Sequence, residues 1–196
     1  PFEKFERKRF MYYSKDLSTV YTKSIHVCFP PLIYLFYHAL NLMMPPQVGK
    51  DINFNAMYDL CAIYLIVEFL IFAFAVKRFL KKQSDKKILI AVILLTLSSC
   101  LAFGVIQCAN IAFFVVILLL LAIDFKESNS KIKQELAMIL IAIAAAIKIY
   151  PAVFGLLYIA EKKYKEALKL IIYGILFFAV PFAFTGGIDG FNEFLN

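Results

Sequence analysis

The chain has 196 residues, of which 62% are hydrophobic and 18% charged, with a formal net charge of +7 and a mean hydropathy of +0.78. A soluble domain carries about 45–50% apolar and about 25% charged residues, so a water-soluble fold of this size is excluded, whereas in a bilayer the outer face of every helix can be apolar. The positive charge does not mark a nucleic-acid binder, because the basic residues fall between hydrophobic runs and form no continuous face.

Residues 1–29 are polar and mixed in charge, with Lys4, Arg7, Lys8, Arg9, Lys15 and Lys23 among aromatics, and read as a loop with short amphipathic helices. Phe29-Pro30-Pro31 then opens an apolar stretch, Leu32 to Met44, closed by Pro45-Pro46. As a helix it reaches about 20 Å, short of the ~30 Å hydrocarbon core, and is predicted to be interfacial or re-entrant. A polar connector, Gln47 to Asn55, completes an outer-side region over 1–55. A transmembrane helical bundle is predicted from residue 56 to 196, its first spans at about 56–76, 88–106 and 111–123. The first stops at Lys77-Arg78 and the third is followed by Asp124-Phe125-Lys126-Glu127-Ser128.

The next segment decides the topology. Leu136 to Ile147, Lys148-Ile149-Tyr150-Pro151 and Ala152 to Ala160 form either one span kinked at Pro151 or a hairpin of two half-depth helices over 136–160. With loops 77–87 and 126–135 cytoplasmic, a single span puts Lys162, Lys163, Lys165 and Lys169 outside, and a hairpin keeps them inside. The positive-inside rule favours the hairpin. Thirteen of the 21 Lys and Arg then lie in three cytoplasmic loops, although the first 55 residues, placed outside, hold seven basic against four acidic residues. The last span, about 168–184, contains Gly174 and Pro181 and ends at Thr185-Gly186-Gly187 on the outer side. The chain starts at Pro1 without an initiator Met and stops at Asn196 just after a loop begins, and reads as an internal fragment.

Lys148 is the charged side chain inside the longest alanine-rich apolar run. A buried ammonium costs a few kcal/mol, at the ~2.5–3.5 kcal/mol of insertion scales, and needs an anionic partner, a wet cavity or a route to the interface. The functional reading is an anion site suited to a lipid phosphate; the bland one is a lysine snorkelling to the headgroups. Gln107 and Asn110, three apart on the same outer side, either grip a sugar hydroxyl or, for Asn110, cap a helix. Glu68 is an intramembrane acid that must face the protein interior, while Asp59 reaches the interface. The scattered Cys28, Cys61, Cys100 and Cys108, with His26 and His38, show no metal-ligand spacing.

The order Phe29-Pro30-Pro31-Leu32, Gln107-x-x-Asn110, Ala144-Ala145-Ala146-Ile147-Lys148-Ile149-Tyr150-Pro151-Ala152 and Glu161-Lys162-Lys163-Tyr164-Lys165 resembles integral-membrane glycosyltransferases of the GT-C superfamily, most closely glycosyltransferase family 87. The resemblance covers about residues 29–185, and its Lys-x-Tyr-Pro element is the most specific part. It implies an all-α, GT-C-like polytopic bundle in the plasma membrane. The implied reaction moves a sugar, such as a mannose-like hexose, from a polyprenyl-phosphate carrier to a glycan or glycolipid acceptor on the outer face. It proceeds with inversion, needs no cofactor, and suits the building of cell-envelope polysaccharide. Lys148 would neutralise the donor phosphate, and Gln107, Asn110 and Tyr150 would line the cavity. The family's general base is an outer-loop aspartate following the first transmembrane helix. It is expected before Pro1; Asp16, in a poor context, is the candidate within the chain. Competing readings are a transporter or lipid flippase, for which a charge at a broken helix is also expected, and a non-catalytic membrane subunit.

Overall fold

The computed structural model describes residues 17–21, 30–42, 54–80, 84–98 and 111–195, and within them every regular element is helical, with no strand. The helices are α1 (Pro31–Leu42), α2 (Phe54–Phe79), α3 (Asp85–Ser98), α4 (Ala112–Lys126), α5 (Lys131–Ile147), α6 (Leu156–Ala160), α7 (Tyr164–Ala179) and α8 (Gly187–Leu195). Turns of 3-10 helix occupy Leu17–Thr19, Tyr150–Gly155 and Val180–Phe184. Most of the expected outer-side region over 1–55 lies outside the described residues. Its apolar stretch is α1, whose 12 residues bury Ile33 and Tyr34.

Two element ends differ from the sequence expectation for one shared reason. α2 does not stop at Lys77-Arg78 but continues to Phe79, and Asp124 does not open a loop but lies within α4, its side chain fully buried. Arg78 donates from Nε and Nη2 to Asp124 Oδ2 at 2.9 and 2.7 Å, and its guanidinium lies 5.7 Å from the Phe125 ring centroid. Pairing lets both charges stay in helix, where a solitary charge would be driven to water. A third difference is the tail: instead of a loop, Gly187–Leu195 forms α8. The signal is easy to miss because Gly186, Gly187 and Gly190 interrupt its short apolar pattern.

α5 is the hub of the bundle. Ala137, Met138, Ile141, Ala142, Ala144, Ala146 and Ile147 are buried on it, and the main core gathers Val115 and Leu118 of α4, Leu170 of α7, Tyr158 of α6 and Ile33 of α1 around it. Four of its seven buried residues are alanines, which lets neighbouring backbones approach closely without the volume of larger side chains. A second core joins α2 and α3 to α4, with the Phe72 and Phe113 rings 4.7 Å apart.

The perimeter is inverted relative to a soluble bundle. α7 leaves Leu168, Ile171, Ile172, Ile175 and Leu176 exposed, and α2 leaves Ile63, Ile66, Val67, Leu70 and Phe74 exposed. Both sets recur at three- and four-residue spacing, so each is one continuous helical stripe where a soluble helix would be polar. Among the described residues one helical segment, Tyr164–Phe184, is long and apolar enough to cross a membrane; Pro31–Leu40 and Tyr150–Ala160 are shorter apolar helices.

Candidate functional site

The direction of the chain around Lys148 follows from ion pairs far from it. Lys126, just before α5, pairs with Glu161, just after α6, and Lys163 Nζ reaches the other Glu161 oxygen at 2.8 Å. Lys169 of α7 reaches Glu135, near the start of α5, at 2.9 Å, and the Tyr173 hydroxyl donates to the same carboxylate. Residues before and after the Lys148 segment therefore share one end of the bundle, so the chain runs up α5 and returns through Tyr150–Ala160. The Tyr173 hydroxyl and then Lys169 hold the Glu135 carboxyl below its ordinary range. Lys126 and then Lys163 do the same for Glu161. The return limb closes on a Schellman turn: Lys163 N–H donates to the Tyr158 carbonyl at 2.8 Å and Lys162 N–H to that of Ile159 at 2.9 Å. Lys162 takes the left-handed conformation, φ +59°, which the turn requires and glycine usually supplies.

At the other end, Lys148 is where α5 stops. Its backbone is extended (φ −140°, ψ 133°) while its N–H still donates to Ala144. Pro151, which has no N–H to offer, stands three residues on in the 3-10 turn and is fully buried. Lys148 is half-buried, and Tyr150, expected to line a cavity, is 56% exposed beside the still more exposed Ile149. Gln107, Asn110 and Asp16 lie outside the described residues. Asn110 directly precedes Ile111, which shares the main core with Ile147, so the start of α4 and the end of α5 are at one end of the bundle.

Glu68 belongs to that end. It is 2% exposed, and its side-chain hydrogen-bond partner is Tyr64, one turn earlier, whose hydroxyl donates to Oε1 at 2.9 Å. The backbone of Phe114, in the first turn of α4, also faces the carboxylate. Ile111, at the N-cap of α4, gives no side-chain hydrogen bond, so a carboxyl from α2 faces a helix start whose first N–H groups have no side-chain cap. The second oxygen, Oε2, is buried without a partner. Phe36 of α1 closes this junction, its ring 5.9 Å from that of Tyr64 and 6.1 Å from that of Phe114. Sequence reasoning placed Glu68 inside but missed this aromatic setting. The four-residue step from Tyr64 to Glu68 was the available signal, whereas nothing in the sequence pointed to Phe36 or Phe114. Among the described residues no three His, Cys, Asp or Glu side chains gather as a metal site would need.

Outward from Lys148 and its Pro-containing turn, the pattern extends over most of the chain: residues 29–196 match the family model described as glycosyltransferase family 87. The chain belongs to glycosyltransferase family 87. No curated protein and no solved structure matches it. Family membership assigns glycosyltransferase activity and a membrane location. For this family 87 chain, the extended backbone at the half-buried Lys148 and the neighbouring start of α4 form the strongest candidate for substrate contact.

Proposed function

We propose that the protein transfers a sugar from a polyprenyl-phosphate donor to an acceptor hydroxyl on the outer face of the plasma membrane, with inversion. Its bundle spans the membrane several times and Lys148 sits at the donor phosphate. The observation that carries this reading is the reversal of the chain at Lys148, opposite the end bearing the Lys126–Glu161 and Glu135–Lys169 pairs. The apolar stripes on α2 and α7 support a lipid surround.

The chemistry needs two charge movements. A carboxylate on the outer side takes the proton of the acceptor hydroxyl as its oxygen bonds to the sugar's anomeric carbon; Asp16 is the candidate within the chain. The bond from that carbon to the donor phosphate oxygen breaks on the opposite face, which inverts the centre. The departing polyprenyl phosphate gains negative charge, and a fixed ammonium in a poorly hydrated site stabilises it more than water does. Gln107, Asn110 and Tyr150 are proposed to position the sugar.

Replacing Lys148 with Ala in the full-length protein is expected to lower transfer from a lipid-linked sugar by about 10²–10³-fold, the loss typical of one group that meets developing charge. Lys148→Arg should retain part of the rate. Wild-type turnover by the alanine variant would remove the phosphate role.

A further inference from the structure

α8 poses a question that sugar transfer does not answer. Its nine residues divide sharply at about 100° per residue. Asp189, Asn192 and Glu193 share a polar face, and Gly190 and Phe194 share the face docked on the protein. Gly190 lies against the Thr185 carbonyl and the Tyr21 ring. The Phe194 ring packs 5.8 Å from Tyr21 and Phe178 and 5.6 Å from Phe182. Between these faces runs a third, apolar edge. Ile188 is 79% and Leu195 66% exposed, and at seven residues apart they stand one above the other.

The level of α8 follows from the segment before it. Tyr164–Phe184 comprises 16 residues of α-helix and five of 3-10 helix, a rise of about 34 Å, against a hydrocarbon core of ~30 Å. One end is fixed by the exposed Lys162, Lys163 and Lys165. The other delivers the chain through Gly186 and Gly187, both at positive φ, straight into α8. The apolar edge of α8 thus follows the exposed α7 stripe and the exposed Val180 and Phe184. α8 carries Asp189 and Glu193 and no Lys or Arg, so it has no attraction to an anionic surface, and its charge is opposite to that of the lysine turn.

We propose that α8 is an interfacial helix whose Ile188–Leu195 edge lies against the headgroup–acyl boundary of a zwitterionic lipid surface, on the side opposite the Lys162–Lys165 turn. This rests on the membrane reading above. Docked through Gly190 and Phe194, α8 holds the Val20–Tyr21 turn and Tyr34 of α1 at the level of that surface, since Tyr21 packs on Tyr34, Phe182 and Phe194.

The chain has no tryptophan, so one introduced indole reports its own position. Ile188→Trp, Leu195→Trp, Asn192→Trp and Ile172→Trp are to be made singly in the full chain and reconstituted in phosphatidylcholine vesicles. The vesicles contain lipids brominated either near the headgroup or near the chain ends. Emission from positions 188 and 195 is expected to be blue-shifted and quenched more by shallow than by deep bromines. Position 192 should emit to the red and be quenched by aqueous iodide. Position 172, in the middle of the α7 stripe, should be quenched more by deep bromines. Quenching at 172 without quenching at 188 and 195 overturns the interfacial helix and leaves the membrane reading intact; no quenching at 172 overturns the membrane reading itself. Blue-shifted emission at 188 that escapes lipid quenching and varies with protein-to-lipid ratio means a second copy covers the edge, which also overturns the proposal.

Discussion

Where α2 and α4 finish and α5 and α7 begin, the contacts that join elements are ionic: Arg78 with Asp124, Lys126 with Glu161, and Lys169 with Glu135. Where α4 begins and α5 and α7 finish, they are aromatic or rely on small residues. Tyr21, Tyr34, Phe178, Phe182 and Phe194 form one cluster, Phe36 bridges Tyr64 and Phe114, and Gly190 admits the Thr185 carbonyl. The difference separates two uses of charge. At the first end charges are matched, so they fix which segments lie side by side. At the second, the buried Glu68 carboxyl meets the Tyr64 hydroxyl of its own helix and Lys148 terminates α5, so neither side chain ties one helix to another through an ion pair given above.

The contrast is broken most severely at the buried pair. Arg78→Ala leaves the Asp124 carboxylate without its guanidinium inside the bundle. Because the Arg78 side chain is 35% exposed, the loss should fall at the lower end of that for a severed buried pair, about 3 kcal/mol, read as a shift in unfolding in detergent. The double change Arg78→Met with Asp124→Leu removes both charges and should recover most of it. Failure of the double variant to recover would mean the pair acts through more than its own charges.

At the aromatic end the corresponding change is steric. A Cβ on Gly190 collides with the Thr185 carbonyl, which is backbone and cannot rotate away. Gly190→Ala should therefore unseat α8 and loosen the Tyr21 cluster, with a cost of about 1–3 kcal/mol as for other overpacked sites. Faster amide exchange confined to residues 187–195 and the Val20–Tyr21 turn is the expected signature, and uniform exchange across the bundle would contradict it.

The smallest effect belongs to the exposed ion pairs. Glu135 and Glu161 have folded-state values below the ordinary carboxylate range, so their stabilisation is complete above that range and disappears as pH falls through the lowered values. The stability difference between the wild type and a Glu135→Gln, Glu161→Gln variant should be constant above the ordinary carboxylate range and shrink steadily as pH falls below it. Both side chains are about one-third exposed, so the difference is small and salt-sensitive. A difference that grows on acidification would reverse the assigned sign.

The amino-acid sequence by itself determined the all-helical class, through long apolar runs punctuated by charges. It also singled out the Lys148 segment, since a lysine before Ile-Tyr-Pro in an alanine-rich run stands out from the apolar residues around it. Loop charge further favoured a hairpin over a kinked span. It did not determine that Asp124 is buried, because an acid beside Lys126 and Glu127 looks like a loop until Arg78, 46 residues away, is brought to it. Nor did it reveal the setting of Glu68, whose aromatic neighbours come from α1 and α4, or the helix at Gly187–Leu195, which depends on Tyr21 and Phe182 for its docked face. Those were decided by tertiary structure, because periodicity reports which face of a segment is apolar, while the partner of a buried charge is set by which distant segment packs against it.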